Sequence, residues 1–231
     1  MFPLFGSYAP AVVSAPAENQ RMALEPTATG ESEMLAAALR THLSETRFTF
    51  TALTGKEATQ CITRAIAEWA TASGWRSRAE APMRYIDPPR MLNGGCRAYW
   101  SPRWSAYLDL RLVRKDAPPV AVEIDRADDS TAADKLRDEA LRGHPALWIR
   151  WHGAMRPELP AGVARLHLPT QSSRSPVRYS LAPVTSTAVI TLGDAVTPEA
   201  RADALHRDQR RMAKEKRVAA LPRDPGPIRC F

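Results

Sequence analysis

Val120-Ala121-Val122-Glu123-Ile124-Asp125, running on into Arg126-Ala127-Asp128-Asp129, is the stretch whose reading decides the fold. Val120, Val122 and Ile124 alternate with Ala121, Glu123 and Asp125, the period of a strand whose two faces differ. Two carboxylates therefore share one face of an otherwise apolar strand. The preceding stretch, Ser105-Ala-Tyr-Leu-Asp-Leu-Arg-Leu-Val-Arg-Lys115, is also alternating, with Leu108, Leu110 and Leu112 on one side and Tyr107, Asp109 and Arg111 on the other. Asp116-Ala-Pro-Pro119 reads as the turn between the two strands. After the acids, Ser130–Gly143 reads as a helix closed by a C-terminal glycine. His144–Gly153 (HPALWIRWHG) then reads as a nearly all-apolar central strand, the composition expected of a sheet covered on both faces.

Working outward, Thr54-Gly-Lys-Glu57 has the form of a capping box. Ala58, Cys61, Ile62, Ala65, Ile66 and Trp69 then hold a helical period up to Gly74. Glu31–Glu45 predicts a shorter helix, and Arg76–Asp87 and Gly162–Pro169 two further strands. Thr197–Leu221 predicts a helix with Pro198 in its first turn and a thin apolar face of Leu205 and Met212. The expected organisation is a disordered segment over residues 1–30, an α/β domain over 31–169 with a mixed four- or five-stranded sheet flanked by helices, and a linker with a basic helix over 170–231.

The 231 residues carry 20 prolines and a net charge of +7, with a pI near 9.7. That balance favours an anionic partner, nucleic acid first. Cys61, Cys96 and Cys230 have no zinc-knuckle spacing, and an odd count does not make a disulfide framework. The five histidines are scattered. No apolar run approaches the length of a membrane span, and the N-terminal stretch lacks the basic region of a signal peptide. The expectation is a cytoplasmic protein without a membrane partner.

Asp109 and Glu123 fall on adjacent strands joined by a tight turn, on the face opposite the Leu/Val side, and Asp125 lies there too. Carboxylates gathered on a covered sheet repel and desolvate at a cost on the order of several kcal/mol. A divalent cation is the usual remedy. Mg²⁺ in particular takes a few carboxylate oxygens plus water and substrate phosphate.

The order helix, strand, strand with Asp109, strand with Glu123, helix, strand resembles the PD-(D/E)XK, or restriction-endonuclease-like, nuclease superfamily over roughly Thr54 to Gly153. The resemblance implies that Asp109 and Glu123 bind Mg²⁺ or Mn²⁺, with the backbone carbonyl of Ile124 as a further ligand. It also implies a glutamate from the first helix, Glu57 or Glu68, and direct in-line hydrolysis without a covalent enzyme intermediate. The family places a lysine where this chain has Asp125. Lys135, on the following helix, is the candidate for a displaced lysine, leaving Asp125 as a further ligand or a water-positioning group. Asp134, Arg137, Leu141 and Gly143 ahead of ALWIRW are spaced as in the very-short-patch-repair-like branch.

The function expected is a Mg²⁺-dependent endonuclease acting on DNA. The alternative is a catalytically inactive nuclease-fold module that binds nucleic acid. A third reading makes the acids plain surface charges. Arg103, Arg137, Arg150, Arg210 and Arg211 are the candidate phosphate contacts. Trp100 and Trp104, beside Arg97 and Arg103, are candidates for base stacking. A protein partner or a homodimer is compatible with all of this.

Overall fold

The computed structural model describes residues 28–86, 105–126, 130–153, 158–184 and 188–220. Over these residues the architecture is mixed α/β, with four helices and two sheets. The elements that build the six-stranded sheet and its two covering layers are α1 (Ala28–Glu45), α2 (Gly55–Ala72), β2 (Arg76–Arg84), β3 (Ser105–Arg114), β4 (Ala117–Asp125), α3 (Ser130–Leu141), β5 (Ala146–Arg150), β6 (Val163–His167) and β9 (Val189–Leu192). Strand order is β2-β3-β4-β5-β6-β9. The β2-β3-β4 meander is antiparallel, β4, β5 and β6 are mutually parallel, and β9 closes the far edge antiparallel.

The alternation in the strands sorts their side chains into two cores. Leu110, Leu112, Val120, Val122, Ile124, Leu147, Ile149, Ala164 and Leu166 pack against Leu39 and Leu43 of α1 and Ile62, Ile66 and Trp69 of α2. On the other face Ala121, Ala146, Trp148 and Val163 pack against Ala132, Leu136 and Ala140 of α3. Burial on both faces is what the near-continuous apolar runs in β4 and β5 require. The capping box at Thr54 forms as read, with the Glu57 carboxylate accepting from the Thr54 N–H and the Thr54 hydroxyl oxygen accepting from the Glu57 N–H. Gly143, just past α3, takes φ +84°, the left-handed turn that ends a helix at low cost only with glycine.

Two expectations are corrected here. The sheet is larger than four or five strands. The segment expected to be a linker after Pro169 is instead β7 (Thr170–Arg174) and β8 (Val177–Leu181), an antiparallel hairpin. With β1 (Phe50–Leu53) it makes a second sheet, order β1-β8-β7. Tyr179 and Leu181 join the α1/α2-side core. Trp151, fully buried, meets Phe50 and Tyr179 edge to face at 6.5 and 5.1 Å, the geometry aromatic quadrupoles favour. The basic helix is α4 (Pro198–Ala220), and it packs along α3. Residues 1–27 and 87–104, the latter with Arg97, Trp100, Arg103 and Trp104, lie outside the described residues. No described helix is long and apolar enough to cross a membrane.

α3 is fastened to the sheet by its acids as much as by its apolar stripe. Glu139 is buried and meets Arg111 of β3 at 3.0 Å, His144 at 2.7 Å and Arg142 at 3.4 Å. Burial pushes its carboxyl up, but the hydrogen bond from His144 and the charges of Arg111 and Arg142 outweigh that and hold it below the ordinary range. Asp138, fully buried, accepts from the Ile86 N–H at 2.7 Å and from Arg137. Breaking a buried pair by neutralising one partner strands the others. Glu139→Gln should therefore lower stability by about 3 kcal/mol at neutral pH. Because the folded carboxyl titrates below the unfolded one, the difference should shrink as pH falls through the folded value. Urea unfolding of both proteins at pH 7 and pH 3.5 measures it.

Candidate functional site

The ladder between β3 and β4 is regular where Leu112 faces Val120 and Leu110 faces Val122. One residue further on it stops being a backbone ladder. The Ile124 N–H donates to Asp109 Oδ2 at 2.7 Å, and the Asp109 N–H donates to Glu123 Oε1 at 3.3 Å. The two strands are joined there through two carboxylates. In an extended residue the carbonyl lies on the same side as the N–H, so the Ile124 carbonyl faces the same gap as the Asp109 carboxylate.

This break corrects the simple alternation read from the sequence. Leu110 and Leu112 belong to the α1/α2-side core, whereas Leu108 belongs to the α3-side core. The change of face falls at Asp109. On the neighbouring strand, Ala79 pairs with Leu110 and Ala81 with Leu108, so Glu80 stands opposite Asp109. Glu80 has φ +47°, a conformation that costs a non-glycine residue about 1 kcal/mol or more. Strain and lost pairing coincide at the level of the candidate acid.

Glu123 lies on the α3 side of the sheet and is 2 % exposed. Lys135, on the first turns of α3, reaches down so that its Nζ donates to Glu123 Oε2 at 2.5 Å and to the Tyr107 carbonyl at 3.0 Å. Burial raises the Glu123 carboxyl, Lys135 pulls it down, and the charges of Asp109 and Asp125 push it up again. The balance places it at about 8. Lys135 therefore compensates only part of what burial and the neighbouring acids impose. Asp125, one pleat along, accepts from the Trp148 indole N–H at 2.8 Å. Strand register sets the rest of this face. Glu123, Trp148 and Arg165 form one row across β4, β5 and β6, and Asp125, Arg150 and His167 form the next.

The structure thus brings Asp109, Glu123, the Ile124 backbone and Lys135 together, with Asp125 adjacent. It does not bring in Glu57, whose carboxylate is held by Thr54 and lies 3.7 Å from Arg178. Glu68 is exposed on α2. Both belong to the helix that covers the opposite face. Three expected phosphate contacts are occupied elsewhere. Arg137 pairs with Asp134 and Asp138. Arg150 is fully buried, with Nη2 donating to the His152 carbonyl and its guanidinium 5.7 Å from the Trp148 ring. Arg211 is paired with Asp208 and Glu215. Arg210 is exposed, and Arg103 lies outside the described residues. Among the described residues no three His, Cys, Asp or Glu side chains gather closely enough to hold a metal ion by themselves. Sequence reading missed Trp148 as the partner of Asp125. The cross-strand position of an indole next to an acid was its only sign.

No protein-family model matches the chain, and no curated protein matches it. A solved structure with a weak likeness is the SPO1766 protein of unknown function from Silicibacter pomeroyi. It is 16% identical, with 72% of this chain and 93% of that one covered, at a TM-score of 0.31. A likeness at that score carries no argument.

The Lys135–Glu123 pair makes a direct test of the site's electrostatics. Measured at pH 9, above the Glu123 value, where the carboxyl is ionised, Lys135→Met should cost about 2 kcal/mol by leaving Glu123 buried beside Asp109 with no cation. Glu123→Gln in the same protein should recover part of that loss. A double-mutant cycle by urea denaturation in EDTA should return a coupling of about 1–3 kcal/mol, and a coupling near zero would mean that the two groups do not interact.

Proposed function

We propose that the chain is a metal-dependent nuclease that hydrolyses phosphodiester bonds in DNA, on a restriction-endonuclease-like core made by α2, β2, β3, β4, α3 and β5. The observation that carries the reading is the position of Lys135. The residue two after Glu123 is an aspartate where the resembling superfamily has its lysine, and α3 delivers a lysine to Glu123 from another direction. An acid on the second strand, an acid on the third and an amine beside it are the parts such a site needs. The element order and the break between β3 and β4 at Asp109 support the same reading.

A divalent cation fits this donor set. Asp109, Glu123 and the Ile124 carbonyl border one gap, and the buried Glu123 carboxyl is left with more negative field than Lys135 offsets. Mg²⁺ or Mn²⁺ held there would neutralise charge on a scissile phosphate and make bound water more acidic. Lys135 then keeps an ammonium next to the phosphate and steadies Glu123. Asp125, fixed through the Trp148 indole, orients the attacking water. The competing reading, an inactive nucleic-acid-binding module on the same core, draws on Asp125 standing in the lysine's place.

Nicking of supercoiled plasmid separates the two. With Mg²⁺ or Mn²⁺ the protein should convert supercoiled to open-circular DNA, and EDTA should abolish this. Asp109→Ala and Glu123→Ala should each lower the rate by roughly 10²–10³-fold and Lys135→Ala by about 10²-fold. Glu57→Ala should leave it within a few-fold. DNA binding without cleavage in any metal would favour the inactive module. Binding of the ion also shows without turnover. At about a hundred times its Kd, Mg²⁺ should stabilise the protein by about 2.7 kcal/mol, a rise of roughly 5–10 °C in Tm. Glu123→Gln should remove that rise, and an equal rise in the variant would place the ion elsewhere.

A further inference from the structure

Past its first two turns, which carry the exposed acids Glu199 and Asp203, α4 separates its charges by face. Between residues 204 and 217 it carries six Lys or Arg side chains and two acids. Both acids turn inward. Asp208 lies 3.9 Å from Arg142 beside α3, and Glu215 lies 3.2 Å from Arg84 at the end of β2. Ala204 is fully buried, Met212 Sδ lies 3.1 Å from Arg84 Nη1, and Arg201 donates to the Arg142 carbonyl at 3.4 Å. These contacts dock the helix along α3 with very little apolar burial. Arg211, one position on from the outward stripe, is spent on the two inward acids.

The outward face keeps Arg210, Lys214 and Arg217, all exposed. Spacings of four and three put them in one line. None of the three has a carboxylate partner among the described residues. The line is about 10 Å long at 1.5 Å per residue. It is straight because it is helical. A duplex strand offers one phosphate per roughly 3.4 Å of axis, so a rigid row of this length reaches about three phosphates.

We infer that the outward face of α4 docks the phosphate backbone of duplex nucleic acid, independently of base sequence. Taking the polyanion to be the nuclease's own substrate rests on the function proposed above. Charge complementarity selects the class of partner, and the composition of the helix narrows it. Pro198–Ala220 contains no Phe, Trp or Tyr, so the face has nothing on which to stack the bases of a single strand. A membrane-surface helix would need a broad apolar face opposite its cations. Here that side is filled by acids docked on the rest of the protein, and Leu205 is the large exposed apolar residue on it. The same helix packs on α3, whose first turns carry Lys135. One helix would thus anchor substrate beside the element that completes the site.

The test measures binding and cleavage separately on the full chain. Binding of a fluorescent 20-base-pair DNA duplex is followed by polarisation in EDTA, across a range of salt concentrations. The variants are Arg210→Glu/Lys214→Glu/Arg217→Glu, its neutral counterpart with three Gln, and a charge-matched control, Arg64→Glu/Arg76→Glu/Arg174→Glu, at other exposed sites. The stripe triple should weaken binding and reduce the slope of log K against log salt by about 3, near one per lost phosphate contact. The Gln triple should do so in the same direction and more mildly, with an unchanged Tm, and the control should keep the wild-type slope. Glu123→Ala should bind duplex as wild type does while failing to nick plasmid. Equal slopes for wild type and stripe triple would overturn the inference and leave the nuclease reading standing. Stripe-dependent binding with no nicking in any metal would do the reverse. Wild-type binding to phosphatidylserine vesicles and not to the duplex would overturn it in favour of a membrane surface.

Discussion

Glu123 sits on a strand buried on both faces, and that constraint organises the protein around it. A carboxylate there cannot keep its water, and its nearest acids make matters worse. Part of the cost is returned by Lys135, and only because α3 lies across the sheet with its first turns over β4. α3 is in turn held down by Leu136 and Ala140 against Trp148 and Val163, and by Asp138 and Glu139 through Ile86, Arg111, Arg142 and His144. Buried ion pairs seldom stabilise more than apolar residues of the same shape. Their value in this fold is positional. They leave α3 one orientation, and that orientation sets the reach of Lys135.

The arginines divide according to the same geometry. Those facing the sheet or the α3–α4 seam are consumed internally, Arg111 and Arg142 on Glu139, Arg137 on Asp134 and Asp138, Arg211 on Asp208 and Glu215. Arg210, Lys214 and Arg217, on the outer line of α4, are exposed. A net charge of +7 is thus an uneven quantity. Much of the positive charge neutralises the acids that hold the layers together, and the remainder is concentrated where a helix displays it in a row.

Much of the central fold was legible from the residues because it depends on short-range periodicity. The Thr54–Glu57 box, the apolar stripe of α2, the alternation of β4 and the apolar run of β5 each name their own element. The hairpin of β7 and β8 was not legible. Thr170-Gln-Ser-Ser-Arg174 is polar along its whole length, and its strand character comes from pairing with β8, whose Tyr179 and Leu181 supply the buried side. β7 is itself almost wholly exposed, and a polar strand defined only by its backbone pairing leaves no period of its own to read.

For the candidate site the division is similar. The sequence by itself determined that Asp109, Glu123 and Asp125 lie on adjoining strands and that Lys135 follows on a helix, since a period of two and a tight turn leave little freedom. It also determined the positive charge of the last helix. Only the tertiary structure decided that β3 changes faces at Asp109, that Lys135 reaches Glu123 while Glu57 caps its own helix, and that Arg137, Arg150 and Arg211 are internal. The physical reason is that a side chain's charge is written in the sequence, whereas its partner is whichever opposite charge or peptide group the packed layers place within about 3 Å. That choice is made across elements far apart in the chain.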